Sequence, residues 1–221
     1  MGAGDLRDRY QRQRLQLVDV VRDQGIEDMD VLRAVAEVPR HRFVPESVRH
    51  RAYEDRALPI GFGQTISQPS LQALYLDTLR LAPSDAVLEV GTGSGYQTAL
   101  IAELVERVYS IERVRELAER ARATLDELGY GNIAIMTGDG SVGWSRYAPY
   151  DAILVAAASP SVPQALVDQL APGGKLLVPV GDRVMQDLML VHKRESGELE
   201  ERTITQCVFV PLVGRYGWRE S

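Results

Sequence analysis

The sequence predicts an α/β fold: a doubly wound, mostly parallel sheet with an antiparallel edge strand, entered through an N-terminal helical and loop-rich extension. Three observations carry that expectation. From residue 86 onward, short runs of Val, Ile and Leu alternate with longer amphipathic stretches, the pattern of parallel strands joined by crossover helices. Within that region Val87-Leu88-Glu89-Val90 is followed by Gly91, Gly93 and Gly95 and then by helix-forming residues, which makes one strand-turn-helix unit. The strands that follow end in Glu112, in Asp139-Gly140 and in Ala156-Ala157-Ala158, polar or small residues at the edge where such a sheet meets its ligand.

The elements are expected in this order. Leu6, Tyr10, Leu17, Val18 and Val21 recur at helical spacing over residues 6–24, and Gly25 closes the segment. Asp30 is the expected N-cap of a short helix over 31–38, which Pro39 ends. Residues 39–45 are too interrupted by proline for a regular element, and 52–69 is expected to be a long functional loop. Leu71, Leu74, Tyr75 and Leu79 share one face of a helix over 69–79. Strands follow near 86–90, 107–111, 133–137, 151–156 and 175–180, with helices near 96–104, 113–128 and 162–170. Residues 187–192 and 205–212 are two closing strands, one of them antiparallel at the edge. With 221 residues the chain is expected to be a single domain, residues 1–80 forming the extension and 81–221 the core.

Composition narrows the partners. Thirty-one acidic against 25 basic residues give a net charge of -6, which provides no positive field for a phosphate backbone, so no nucleic acid is expected. The single cysteine, Cys207, sits in an apolar run and is expected to be a buried strand thiol, in keeping with a reducing compartment. The N-terminal segment is charged where a signal peptide is apolar, and the aliphatic run 152–158 is far too short to span a bilayer. A soluble, cytoplasmic, monomeric protein with no membrane partner is the expectation.

The glycine turn gives the first chemical signal. Its amides are expected at a helix N-terminus, where polar or anionic groups bind well. The spacing is G-x-G-x-G with Glu89 two residues ahead of the first glycine, not the G-x-G-x-x-G of dinucleotide sites, and it resembles motif I of the class I S-adenosylmethionine (SAM) methyltransferases. Glu112 follows Gly91 by 21 residues, close to the spacing of an acid that accepts from ribose hydroxyls, and Asp139 is placed to accept from an adenine amino group. Each also has a plainer explanation, Asp139-Gly140 as a turn pair and Glu112 as the start of a solvated helix. Their joint placement favours the site.

Further segments resemble one family, the protein-L-isoaspartate (D-aspartate) O-methyltransferases. They are V-P-R-H-R-F-V-P at 38–45, A-Y-E-D-R-A-L-P-I at 52–60, G-F-G-Q-T-I-S-Q-P at 61–69, Y-D-A-I-L-V-A-A-A at 150–158, the stretch 162–181 and V-F-V-P-L-V-G at 208–214. The resemblance implies that Ser67 is the active-site serine, with Gln64, Thr65 and Ile66 lining cofactor and substrate carboxylate. It implies SAM binding by Glu89, Gly91, Gly93, Glu112, Asp139 and Gly140, S-adenosylhomocysteine being the product, and substrate contacts at Ala156, Val210 and Gly214. Gln72 and Gly214 depart from the His and Thr that some members carry.

The implied reaction is methylation of the α-carboxylate of L-isoaspartyl residues in damaged peptides and proteins, with D-aspartyl residues as the second substrate class that the family name carries. A carboxylate already ionised at neutral pH attacks a sulfonium methyl without a general base. No metal is expected, and His41, His50 and His192 fit neither a triad nor a ligand spacing. Ser67 before Gln68-Pro69 is equally an ordinary helix cap, a role compatible with the first. The rival functions are a related methyltransferase acting on a biosynthetic precursor peptide, and a non-catalytic SAM-binding adaptor.

Overall fold

The computed structural model describes residues 3–219, with side chains from Tyr10 onward, so the side chain of Leu6 lies outside the described residues. The chain opens with α1 (Ala3–Asp23) and α2 (Met29–Glu37), passes two short 3-10 turns, and forms a hairpin of β1 (Leu58–Gly61) and β2 (Gln64–Ile66). After α3 (Pro69–Leu79) come β3 (Ala86–Val90), α4 (Tyr96–Ala102), β4 (Arg107–Glu112), α5 (Arg115–Glu127) and β5 (Ile133–Thr137). The second half holds β6 (Tyr150–Val155), α6 (Gln164–Val167), β7 (Leu170–Gly181), β8 (Gln186–Lys193) and β9 (Leu199–Cys207).

Strands β3 to β9 make a seven-stranded sheet in the order β5-β4-β3-β6-β7-β8-β9. The first five in that row pair in parallel, whereas β7–β8 and β8–β9 are antiparallel. The chain therefore leaves β3 for one side of the sheet and later returns to β6 on the other, so the winding reverses between these two neighbours. A crevice opens at such a reversal. Both central strands are buried on both faces, which is why they read as nearly continuous aliphatic runs. Alternation sends Val87 toward the face covered by the N-terminal helices, α4 and α5, and Leu88 and Val90 toward the face covered by α6 and Leu212.

The expected class is the one observed, and four local expectations are corrected. Asp28, not Asp30, caps α2, its carboxylate accepting from the amides of Asp30 at 2.9 Å and Val31 at 3.3 Å. Residues 52–69 are not all loop: β1 and β2 pair antiparallel, a pattern masked in sequence by Pro59 and by a tip whose three residues, Gly61, Phe62 and Gly63, all have positive φ (93°, 55° and 68°). The helix near 162–170 is a single turn at α6, because Leu170 already belongs to β7. The last strand lies earlier than 205–212. Its polar outer residues Glu200, Glu201 and Thr203 are those of an exposed edge, and the apolar segment after Cys207 leaves the sheet instead to bridge Pro211 to Ala158.

The cap at Asp28 gives a direct check on local stability. Asp28→Ala should lower unfolding free energy by about 1 kcal/mol in urea titration, with an unchanged denaturant slope.

Candidate active site

The crevice is walled by four pieces of chain. The glycine turn after β3 and the end of β4 form one side, and the hairpin with Gln64, Thr65, Ile66 and Ser67 closes over it. Gly140, Ala156 and the C-terminal segment Val210 to Val213 complete the lining, together with Gln72 and Gln97. The structure thus brings together Gln64, Thr65, Ile66, Ser67, Gly91, Gly93, Glu112, Gly140, Ala156 and Val210 from the sequence-predicted residues. Glu89, Asp139 and Gly214 stand outside this lining.

The turn itself is held by hydrogen bonds rather than left open. Its amides at Gly91, Gly93 and Gly95 already donate, to the Ile111 carbonyl at 2.8 Å, to Glu112 Oε2 at 2.7 Å and to the Thr92 carbonyl at 2.8 Å. Glu112 uses its other oxygen on the amide of Val114 at 2.8 Å. Its carboxylate therefore ties the turn to the end of β4 while still lining the cleft. The expectation of a row of free amides is corrected by these bonds. Gly91 is needed for close approach as well as for its φ of +99°, since a Cβ there would touch that of Ala156 at 3.4 Å.

Glu89 lies behind the turn, wholly buried. Its Oε2 accepts from Thr98 Oγ1 at 2.5 Å and Ser110 Oγ at 2.6 Å, while Oε1 has no partner among the described residues. Burial pushes its pKa up to about 8, outweighing the two hydroxyl donors that pull it down. Asp139 is engaged elsewhere. It accepts from the Ser141 hydroxyl at 2.6 Å, the Ser141 amide at 2.9 Å and the Arg215 amide at 2.8 Å. Burial alone would raise its pKa, but these donors outweigh it and the net shift is downward. Gly214 packs on this carboxylate so closely that a Cβ would come within 2.6 Å of Asp139 Cγ and of Ser141 Oγ. The C-terminal segment is thereby clamped to the end of β5.

Ser67 is half-buried, directly after β2, and among the described residues nothing bonds its hydroxyl. It is not the cap of α3. Gln68 holds that position, and Asp55 takes the helix's free amide at Ser70 at 2.8 Å and the Gln68 side chain at 2.9 Å. What fixes Ser67 is its carbonyl, which accepts from Arg40 at 2.7 Å. Arg40 is fully buried and also donates to the Ala52 carbonyl and to Gln72 Oε1, both at 2.9 Å. Burial lowers its pKa to about 10, so it remains charged at neutral pH. Sequence reasoning passed over Arg40, Asp55 and Gln97; only the first two lay within segments singled out, and nothing in their spacing marked them.

A second hollow adjoins the first. It runs between Gln68, Leu71 and Leu74 on one side and the segment from Thr205 to Val210 on the other, and it shares Thr65, Ser67, Ala156 and Val210 with the cleft.

Known proteins resemble this chain in sequence and in fold. The family model described as "Protein-L-isoaspartate(D-aspartate) O-methyltransferase (PCMT)" matches residues 12–217. The protein-L-isoaspartate O-methyltransferase of Syntrophus aciditrophicus (strain SB) is 50% identical over 214 residues, 96% of this chain and 98% of that protein. The relative of the same name from Hyperthermus butylicus is 48% identical over 223 residues, 96% of this chain and 92% of its own. Among solved structures, one of a protein-L-isoaspartate O-methyltransferase has a TM-score of 0.85 at 30% identity, over 92% of this chain and 67% of that one. A putative family protein of Plasmodium falciparum, solved with S-adenosyl-L-homocysteine, has a TM-score of 0.79 at 27% identity, covering 90% and 97% of the two chains.

Two outcomes test the site's electrostatics and packing. Because the folded pKa of Glu89 lies above the unfolded value, the folded state keeps a proton that the unfolded state releases. Stability from this group is then greatest below the unfolded carboxyl range and falls as pH rises toward about 8. Glu89→Gln keeps the acceptor oxygen without the charge, so its urea midpoint should exceed the wild type's at pH 8.5 and converge with it at pH 5. Gly214→Ala should push the C-terminal segment off Asp139 and cost on the order of 1–3 kcal/mol by the same titration.

Proposed function

The chain belongs to the protein-L-isoaspartate (D-aspartate) O-methyltransferase family, and from that premise we propose how its residues divide the transfer of a methyl group from SAM to the α-carboxylate of an isoaspartyl residue. The observation that carries this division is the meeting of two hollows at Ser67: the cleft over the glycine turn, and the groove beside it that shares Thr65, Ser67, Ala156 and Val210. The cleft suits the donor. Glycines and alanines leave room at the sheet edge, Glu112 faces in from the end of β4, and the buried oxygen of Gln97 awaits a donor hydrogen. The groove, lined by Leu71, Leu74, Phe209 and polar backbone, suits an extended peptide.

The donor supplies an electrophilic methyl on a sulfonium. The residues' task is to bring an ionised carboxylate in line with it and to exclude water. The Ser67 hydroxyl, which bonds nothing among the described residues, donates in this reading to one carboxylate oxygen and leaves the other for attack. No imidazole serves the cleft as a base. His41 is stacked on Tyr10 with its Nδ1 bonded to the Tyr53 hydroxyl at 2.7 Å, and burial, then Arg14, Arg42 and Arg49, lower its pKa to about 4. Glu89 supports the turn from behind, and Asp139 with Gly214 seats the C-terminal segment over the site. Methylation turns a poor leaving group into a good one. The following amide nitrogen then attacks the ester carbonyl and expels methanol as the succinimide closes, and hydrolysis of the succinimide returns some normal aspartyl.

The extension of residues 1–80 and the sheet of 81–221 are proposed to work as one domain, supported by one apolar core running from Leu17 and Val35 to Val87 and Leu100. Among the described residues no helix is long and apolar enough to cross a membrane. A monomer in a reducing, cytoplasmic setting is the proposed working form, supported by the buried free thiol of Cys207.

Incubation with labelled SAM and matched isoaspartyl and aspartyl peptides should place label on the first alone. Equal labelling of both overturns the repair assignment, and labelling of neither leaves an adaptor. Ser67→Ala should reduce turnover about 100-fold with SAM affinity nearly unchanged; full turnover would remove Ser67 from the mechanism.

A further inference from the structure

A cluster of positive charge lies outside the cleft, on the 3-10 turn that carries Arg40. Tyr10 and Arg14 stand one helical turn apart on α1, and the Tyr10 ring stacks on the imidazole of His41 with 4.0 Å between ring centres and 7° between planes. His41 Nδ1 bonds the Tyr53 hydroxyl at 2.7 Å. Arg42 follows His41 in the same turn, and Arg49 comes from the next one. Pieces of chain from α1 and from both turns thus meet at one imidazole. The charges that act on it, those of Arg14, Arg42 and Arg49, are all positive. Burial and these charges hold His41 neutral at pH 7, and burial keeps the Tyr53 hydroxyl protonated.

Two of the three arginines have no counter-charge. Arg42 pairs with Glu127. Arg14 donates Nη1 to the Glu37 carbonyl at 3.2 Å but forms no ion pair, and Arg49 forms neither a side-chain hydrogen bond nor an ion pair among the described residues. The chain has 31 acidic residues and a net charge of -6, yet none of them is paired with either arginine. Glu54 and Asp55, which follow Tyr53, are engaged elsewhere, the first by Arg51 and Arg56 and the second by Ser70 and Gln68. Arg14 and Arg49 are half-buried, and the Nε of each is covered and without a partner, while the terminal nitrogens of Arg49 stay open to solvent. The stems are therefore fixed and the ends of the forks are free. Like charges repel at close range, and a buried N–H without an acceptor adds a desolvation cost. One bound anion removes both penalties.

We propose that Arg14 and Arg49, with His41 beside them, form a binding site for a phosphate-class oxyanion, separate from the cleft. The number of charges selects the ligand. Two unpaired guanidiniums are neutralised by one dianion, whereas a carboxylate or a chloride offsets only one of them. Guanidinium forks also match the oxygens of a tetrahedral phosphate, and the uncharged imidazole adds no further repulsion. Inorganic phosphate and a phosphorylated side chain of another protein present this same group. The site backs onto the catalytic side through Ala52, the neighbour of Tyr53, whose carbonyl accepts from the Arg40 guanidinium that also holds the Ser67 carbonyl.

Titration of the full chain with sodium phosphate at pH 7 and constant ionic strength, followed by NMR of the arginine Nε–H groups, tests this, because burial protects these two hydrogens from exchange with water. The Arg14 and Arg49 signals should move together with one midpoint on the order of 1 mM, the affinity expected of a few charge-assisted contacts at a surface. Arg49→Gln should weaken that midpoint about tenfold, and Arg42→Gln, which removes an arginine already paired, should change it by less than about threefold. Relieved of one unpaired charge, Arg49→Gln should melt in chloride no lower than the wild type, and about 10 mM phosphate should raise the melting temperature of the wild type alone. An equal response to chloride or to acetate overturns the proposal, as does a phosphate response in Arg49→Gln equal to that of the wild type. A phosphoserine peptide set against its serine counterpart separates the two sources. Tighter binding of the phosphopeptide than of inorganic phosphate gives the site to a phosphorylated protein, and weaker or equal binding gives it to the free ion.

Discussion

The parallel pairing of β3 with β6 is the constraint on which the rest of the site depends. The backbone departs from β3 toward one side of the sheet and from β6 toward the other, so neither connection fills the space directly beyond their ends. Ala156 holds on to the Val90 carbonyl at 2.8 Å and Gly91 to the Ile111 carbonyl at 2.8 Å, so the strands stay in register to their last residue. Small residues at 91 and 156 then leave the crevice open. Every other part of the site comes to this gap from a distance: the hairpin from before the sheet, the C-terminal segment from after it.

Two buried ionisable groups flank the gap, and their environments treat charge in opposite ways. Glu89 has hydroxyl donors on one oxygen and, among the described residues, none on the other, so desolvation prevails and the proton is held to about pH 8. Arg40 has carbonyl and amide acceptors along its whole fork, and its pKa of about 10 still leaves it cationic. Hydrogen bonds to charged groups are worth roughly 1.5–3 kcal/mol each, enough together to retain a charge that desolvation would otherwise remove. The neutral acid braces the turn, and the cation braces the hairpin and α3. Both lie behind the residues that face the cleft.

The C-terminal segment completes the enclosure through backbone bonds as well as through the packing of Leu212. The Ala158 amide donates to the Val210 carbonyl at 2.8 Å and the Leu212 amide to the Ala158 carbonyl at 2.7 Å, and the amides of Arg215 and Tyr216 donate to the side chains of Asp139 and Ser141. Gly214 permits that approach because it has no Cβ. A Thr at this position would require a different seating of the segment on Asp139.

The sequence by itself determined the sheet, its central strands and the glycine turn. Continuous aliphatic runs at 86–90 and 150–155 are a local signature of strands buried on both faces, and G-x-G-x-G needs only neighbouring residues to be recognised. Motifs also placed Ser67 beside the turn, through resemblance rather than periodicity. What only the tertiary structure decided is which polar groups are already spoken for. Asp139 also accepts from the Arg215 amide 76 residues away; Ser67 looked like a cap, and Asp55 performs that role across a loop. The hairpin within 52–69 and the true position of β9 also depended on pairing partners distant in sequence. A residue's type gives its capacity to donate or accept, but the partner that uses this capacity is chosen by packing.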